Sequence, residues 1–148
     1  MTATTIPVLA ISDLRPDEIS AAIAIWEEAG LLRPWNDPRA DAALALRSAD
    51  STILVGRDDD RIIATCMVGH DGHRGWVYYL AVTPAFRRRG VATRMMRAAE
   101  QWCNARGIPK LQLMVRSENA EVARFYAALG YATSDVAVLA KWLNPKSD

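Results

Sequence analysis

Three consecutive arginines, Arg87, Arg88 and Arg89, are followed at once by Gly90 and by a helical pattern opening at Val91. The first turn of a helix leaves several backbone N–H groups without intrahelical partners, and the helix dipole adds partial positive charge there. Three guanidinium groups beside such donors make a site suited to a phosphate or pyrophosphate. Gly90 has no side chain and Ala92 a small one, so an anion can approach the backbone closely. At roughly 1.5–3 kcal/mol per charge-assisted hydrogen bond, a few such donors suffice to anchor a diphosphate. The run is not a P-loop, since no Gly-Lys-Ser/Thr follows, and the chain has no GxGxxG dinucleotide fingerprint. Taken alone, three arginines also read as a solvated loop run. A nucleic-acid footprint would need further aromatic or basic partners, and none extends the patch.

The other chemistry-bearing cluster is GHDGHRG, Gly69 to Gly75. His73 has an intrinsic pKa suited to proton transfer, although a histidine in a glycine-rich turn also serves simply to hydrogen-bond the turn. His70 and His73 with Asp71 form an incomplete ligand set for a metal, and no metal is expected. Cys66 and Cys103 both fall in apolar periodic segments and read as buried, reduced thiols rather than a disulfide.

These residues must be positioned by a fold that 148 residues and 51% apolar content can support as one domain, 1–148. The balance of 18 basic against 17 acidic residues gives no general reason to expect nucleic acid or an anionic membrane as partner. The N-terminus lacks a basic region followed by a long apolar stretch, and no run approaches a membrane span, so a cytoplasmic location is expected. Ile6 to Ile11 reads as a strand. Pro16 opens a helix carrying Ile19, Ile23 and Trp26 on one face and ending near Gly30. Asp37 and Pro38 cap and start a second helix, to about Ser48. Ser51 to Arg57 and Arg61 to Val68 form a hairpin around Asp58, Asp59 and Asp60, and Trp76 to Val82 is a further strand. The helix after Gly90 has a stripe of Val91, Met95, Ala98 and Trp102, and stops at Gly107. Lys110 to Val115 is a short strand, Ala120 to Leu129 a helix with Val122, Phe125 and Leu129 inward, and Tyr131 to Leu143 one or two final strands. The fold class is α/β, a mixed sheet with helices on both faces.

RRRGVA, Arg87 to Ala92, matches the pattern Q/R-x-x-G-x-G/A of the GNAT superfamily at every defined position. It sits between a strand ending in hydrophobic-x-Val-x-Pro and a helix, as in that family. VRSENAEVARFYAALGYA resembles the family segment in which an Asn opens a helix and an aromatic–Tyr pair precedes Leu-Gly-Tyr/Phe. The likeness covers nearly the whole chain. LLRPWNDP and GHDGHRG with the following YYL resemble the small bacterial YpeA-like branch, which implies little about substrate. The resemblance implies the GNAT fold, a mostly antiparallel sheet of six to seven strands with a cofactor cleft between the strands ending near Val82 and Val115. It implies acetyl-CoA as co-substrate, with backbone at Leu80, Ala81 and Val82 bonding the pantetheine arm. It implies that Arg87, Arg88, Arg89, Gly90, Val91, Ala92 and Thr93 bind the cofactor, with amides from about Arg88 to Thr93 holding the pyrophosphate, that Asn119 touches it, and that Tyr126 lies by the sulfur.

The implied reaction is attack of a primary amine on a thioester, which needs a neutral amine, an N–H donor for the oxyanion and an acid for the leaving sulfur. Tyr126 is the candidate acid, because a phenol with a pKa of about 10 can be matched to a thiol. The base stays open. The related ribosomal-protein N-terminal acetyltransferases carry a Glu where this chain has Met114, which cannot accept a proton. His70, Asp71, His73, Tyr78, Tyr79, Glu118 or water remain, with Tyr78 and Tyr79 expected on opposite strand faces. Trp35, Asn36 and Asp37 are expected to border the acceptor cleft. The missing Glu also permits a non-catalytic acetyl-CoA-binding module. The acceptor and the range of acyl groups stay open, and the resemblance leaves room for a homodimer through the C-terminal strands.

Overall fold

A computed structural model describes residues 9–116 and 118–144. It divides into two units, the first ending at Leu113 and the second beginning at Met114. The first holds β1 (Ala10–Asp13), a 3₁₀ turn (Pro16–Glu18), α1 (Ile19–Glu28), α2 (Pro38–Arg47), β2 (Ser51–Asp58), β3 (Arg61–His70), β4 (Gly75–Val82), α3 (Val91–Ala105) and β5 (Leu111–Leu113). The strands form one sheet in the order β1-β2-β3-β4-β5. All neighbours are antiparallel except β4 and β5, which are parallel. The mixed, mostly antiparallel sheet expected from the sequence is therefore present, with five strands among the described residues instead of six to seven. The first strand starts later than expected, at Ala10, and Ile6 to Val8 lie outside the described residues.

Strand alternation sorts the core onto two faces. Ile53 and Val55 of β2 pack with Ile19, Ala22, Ile25 and Trp26 of α1 and Ala42 and Ala45 of α2. Gly56 faces the other way, where a Cβ would lie 3.2 Å from Met95 Sδ of α3. Helices thus cover both faces. Asp37 caps α2 as expected, its Oδ1 accepting from Ala40 N–H at 3.1 Å. The buried stripe of α3 is rotated from the expected one: Val91, Met95, Met96, Ala99 and Cys103 are inward, while Ala98 and Trp102 are half-buried. The reason is Gly75. A Cβ there would lie 2.6 Å from Cys103 Sγ, so the missing side chain lets that edge of the helix settle onto β4. Both cysteines are free and buried. Burial pushes the Cys66 thiol up to about 12, so it is protonated and unreactive.

A bidentate ion pair ties the 3₁₀ turn before α1 to β2. Arg57 Nη1 lies 2.6 Å from Glu18 Oε2 and Nη2 lies 2.8 Å from Oε1. This pairing holds the Glu18 carboxyl at about 2, against its ordinary 4.5. A depressed carboxylate stabilises the fold above its unfolded pKa and loses that contribution as pH falls toward the folded one. Arg57→Ala should therefore cost about 1–3 kcal/mol in urea unfolding at pH 7, with the gap from wild type closing between pH 4.5 and 2. A pH-independent gap would trace the loss to packing of the arginine stem.

The second unit contains α4 (Ala120–Ala128), capped by Asn119, whose Oδ1 accepts from Val122 N–H at 3.2 Å. None of its residues is buried; Phe125 and Leu129 are half-buried, and Val122, expected inward, is exposed. The final strands expected over Tyr131 to Leu143 are not formed among the described residues. The run has strand composition, yet a strand exists only when its backbone pairs with an edge, and among its described residues this unit has no strand to offer one.

Candidate active site

The arginine loop leaves β4 at Val82 and enters α3 at Val91 through a 3₁₀ turn, Pro84–Phe86. Arg87 turns back, its Nε donating to Val82 O at 3.1 Å. Arg88 and Gly90 both adopt left-handed backbone, with φ of 62° and 77°. Gly90 does so at no steric cost, whereas an arginine there carries about 1–2 kcal/mol of strain. The strained loop delivers the chain into α3 with no side-chain cap and no acidic residue in the first turn. Gly90 O already accepts from Arg94 N–H at 3.1 Å, so the donors before Arg94 are those a helix cannot satisfy internally. Arg87, Arg88 and Arg89 are exposed beside them, and Arg89 lies over the Phe86 ring at 5.4 Å. The arrangement has the charge and the open donors that a polyanion of phosphate type requires.

A second feature adjoins it. β4 is paired with β5 only from Gly75 to Val77, because β5 ends at Leu113, before the expected Val115. From Tyr78 to Val82 that edge of β4 has no strand partner among the described residues. Thr83 N–H bonds Ile63 O at 2.9 Å toward β3, so by antiparallel alternation the polar groups of Val82 face the vacated edge. Val82 O taking the Arg87 guanidinium agrees with this. Thr83 Oγ1, where β4 meets the loop, is buried without a hydrogen-bond partner among the described residues. Leu80 and Val82 thus lie on a β4 edge without a strand partner among the described residues, Ala81 pairs toward β3 with Thr65, and the turn at Pro84–Phe86 leads on to Arg87 and the open helix start through Thr93.

β4 also carries a bulge. Thr65 pairs with Ala81 and Met67 with Tyr78, so Tyr79 and Leu80 together oppose Cys66. Tyr79 has φ 54°. The bulge overturns the expectation that Tyr78 and Tyr79 point to opposite faces. Tyr78 lies across from Met67, which packs on the α1–α2 cluster, and Tyr79 packs on the same cluster. Tyr79 stacks on Trp26 with centroids 3.9 Å apart, and its hydroxyl donates to Asp41 Oδ2 at 2.9 Å. Burial first, then the Asp41 hydrogen bond, pushes the Tyr79 phenol well above its usual range, and burial raises Tyr78 as well.

The remaining candidates are distributed as follows. Asp71 is occupied by its turn: Oδ1 accepts from His73 N–H at 2.9 Å and Arg74 N–H at 2.8 Å. These bonds, Arg74 first, hold its carboxyl below the usual range and make it a weak base. His70 Nδ1 accepts from Gly72 N–H at 3.0 Å, and its Nε2 lies 3.4 Å from Asp50 Oδ1. His73 is exposed beside Arg74. No cluster of metal-ligating residues occurs among the described residues. Asn119 and Tyr126 lie on α4 in the second unit. Asn119 caps that helix, which leaves its side-chain NH₂ as a donor, and Tyr126 is half-buried, edge-on to Phe125 at 5.0 Å and Tyr131 at 5.8 Å. Glu118 and Met114 are exposed in the same unit, and Trp35 is exposed in the first. Sequence reasoning missed Asp41 and Thr65, which meet Tyr79 from α2 and β3. Nothing in their spacing marks a contact 38 or 14 residues away.

Similarities to other proteins bear on the family and the fold. The family model described as the acetyltransferase (GNAT) family matches residues 17–131. A relative from Pectobacterium atrosepticum, named as an acetyltransferase, is 43% identical over 129 residues, 87% of this chain and 92% of that protein. An aminoglycoside N-acetyltransferase solved with a CoA bisubstrate analogue has a TM-score of 0.77 at 17% identity, covering 91% of this chain and 98% of the other. A protein of Clostridium acetobutylicum solved with acetyl-CoA has a TM-score of 0.71 at 16% identity, with 90% and 96% covered. At that identity the two structures speak for the fold, while the family model and the 43% relative speak for descent. The chain belongs to the acetyltransferase (GNAT) family.

Proposed function

We propose that the protein is an acetyl-CoA-dependent N-acetyltransferase that moves an acetyl group to a primary amine of a small molecule, peptide or protein by direct attack on the thioester. One observation carries this reading: a β4 edge with no strand partner among the described residues leads, through a short turn, to an uncapped helix start flanked by Arg87, Arg88 and Arg89. The two units act together as one domain, a reading supported by a family match that extends from residue 17 to residue 131. Acetyl-CoA supplies an activated acyl group. The polar groups of Leu80 and Val82 bond the pantetheine amides, and the N–H groups from Arg88 to Thr93 with the arginine side chains neutralise the pyrophosphate. Asn119 adds a donor to the cofactor, and Tyr126 protonates the departing sulfur. The acceptor enters on the α1–α2 face, where Tyr78 is exposed, and the reaction belongs in the cytoplasm, where acetyl-CoA and reduced thiols coexist.

Met114 offers no proton acceptor, and the Asp71 carboxylate is tied into its turn, so the acceptor amine is expected to lose its proton to water. The rate should then rise with pH following the pKa of the acceptor itself, near 8 for an α-amino group. An inflection that stays fixed across acceptors of different pKa would name an enzyme group instead, and its loss in His73→Ala would identify the histidine. Thiol release over an amine panel tests the main reading. Acetyl-CoA binding with no thiol released from any amine would make the chain a non-catalytic acetyl-CoA-binding module, a reading that Met114 in place of a Glu permits. A homodimer through the C-terminal residues is checked by sedimentation.

A further inference from the structure

Asp41, in the first turn of α2, is half-buried, and no ion pair among the described residues includes it. Its Oδ2 accepts from one neutral donor, the Tyr79 hydroxyl at 2.9 Å. The arginines nearest in the chain are engaged elsewhere. Arg39 donates to Ser20 Oγ of α1 at 2.8 Å, and Arg33 donates to the carbonyls of Gly30 and Leu32 at 2.8 and 3.0 Å. Nor does Asp41 cap its helix, because Asp37 takes the Ala40 N–H. The helix dipole favours a carboxylate at this end but supplies no second hydrogen bond. A half-buried carboxylate loses part of its hydration, a cost that a cation or several donors ordinarily offset. Among the described residues Asp41 has the single phenol.

The carboxylate is also held in place. Tyr79 stacks on Trp26, which is fully buried and tied through its indole N–H to Thr65 at 2.9 Å. With its phenol pushed well above the usual range, Tyr79 stays a donor, so Oδ2 is occupied and Oδ1 is left for a ligand. Asp41 thus sits one tyrosine length and one hydrogen bond from the β4 backbone, on the α1–α2 face where Tyr78 is 44% exposed. A fixed, half-buried carboxylate takes a cation, and that cation is not the amine that attacks. Attack needs a neutral nitrogen, whereas a carboxylate beside an amine keeps it protonated. We propose that Asp41, oriented by Tyr79, binds a second cationic group of the acceptor, so that the protein acetylates one amine of a compound carrying two. This rests on the amine N-acetyltransferase reading above. The chemistry is common to a free diamine and to a residue of lysine type whose α-amino group reacts while its side-chain ammonium is held.

The test measures thiol release at fixed pH and saturating acetyl-CoA with matched acceptors: putrescine against butylamine, and lysinamide against norleucinamide. Each pair presents the same kind of reacting amine with and without the second cation. Wild type should favour the dicationic member by about 10–10²-fold in kcat/KM, as for one charge-assisted hydrogen bond, with most of the difference in KM. A preference confined to putrescine identifies a free diamine and one confined to lysinamide an aminoacyl acceptor; either supports the proposal. Asp41→Asn keeps an oxygen for Tyr79 and removes the charge. It should abolish the preference while changing kcat/KM for the monocationic acceptors, and Kd for CoA, by less than about threefold. If Asp41→Asn does not fold, Asp41→Ala, which suits a helix, takes its place with the same expectation. Equal kcat/KM within both pairs in wild type would overturn the proposal alone, without need of a variant. A preference that survives the substitution, or an equal loss on both members of a pair, would do the same. Thiol release from no amine, with acetyl-CoA bound, would overturn the acyl-transfer reading and this proposal with it.

Discussion

Gly90→Asp is expected to abolish coenzyme A binding while leaving the protein folded. The substitution places a carboxylate at the residue that opens α3, beside the donors that Gly90 to Thr93 present. A fixed negative charge there repels a diphosphate and competes for the same N–H groups, since Asp is itself a good helix cap. Losing two charge-assisted hydrogen bonds at roughly 1.5–3 kcal/mol each corresponds to a loss of about 10²–10⁴-fold in affinity. The left-handed backbone at Gly90, φ 77°, adds about 1 kcal/mol of folding cost for any residue with a Cβ. Gly90→Asn separates the two effects, because it shares the strain and the shape without the charge. Titration calorimetry with CoA and a thermal melt should show Asn intermediate in affinity and Asp at the floor, with melting temperatures close together. Wild-type affinity in Gly90→Asp would remove RRRGVA as the phosphate site.

Tyr126→Phe is expected to lower kcat by about 10²–10⁴-fold with acetyl-CoA affinity little changed, the range for loss of a general acid. The ring is kept, and with it the edge-on contacts to Phe125 and Tyr131. The backbone carbonyl of residue 126, which accepts from Leu129 and Tyr131 N–H at 3.0 Å each, is untouched. Folding stability should therefore move by less than about 1 kcal/mol. An acyl donor whose leaving thiol is more acidic should recover part of the lost rate, because protonation of the sulfur then matters less. Should Tyr126→Phe melt early while turning over normally, the hydroxyl serves packing and another residue or water delivers the proton.

The sequence by itself determined whatever depends on neighbours along the chain. Asp37 and Pro38 start a helix because a cap and a fixed φ act within one turn, and Asp59-Asp60 joins a hairpin because two apolar runs flank it. RRRG read as an anion site because a strand end, a glycine and a helix start are contiguous, and the same contiguity carried the family likeness. The tertiary structure decided what depends on residues far apart. The rotation of α3 toward Met96, Ala99 and Cys103 followed from the absent side chain of Gly75 on another element. Alternation put Tyr78 and Tyr79 on opposite faces, but a bulge shifts the phase by one residue, and Tyr79 carries no local turn signal. That bulge is set by Trp26, Thr65 and Asp41, which reach Tyr79 across separations of up to 53 residues. The apolar run after Tyr131 made strands the natural expectation, yet strand formation is a property of a pair of edges, not of one segment. Periodicity and capping are local free energies that a sequence displays openly; the conformation of Tyr79 in β4 is fixed by packing from three separate elements, and only the folded chain brings them together.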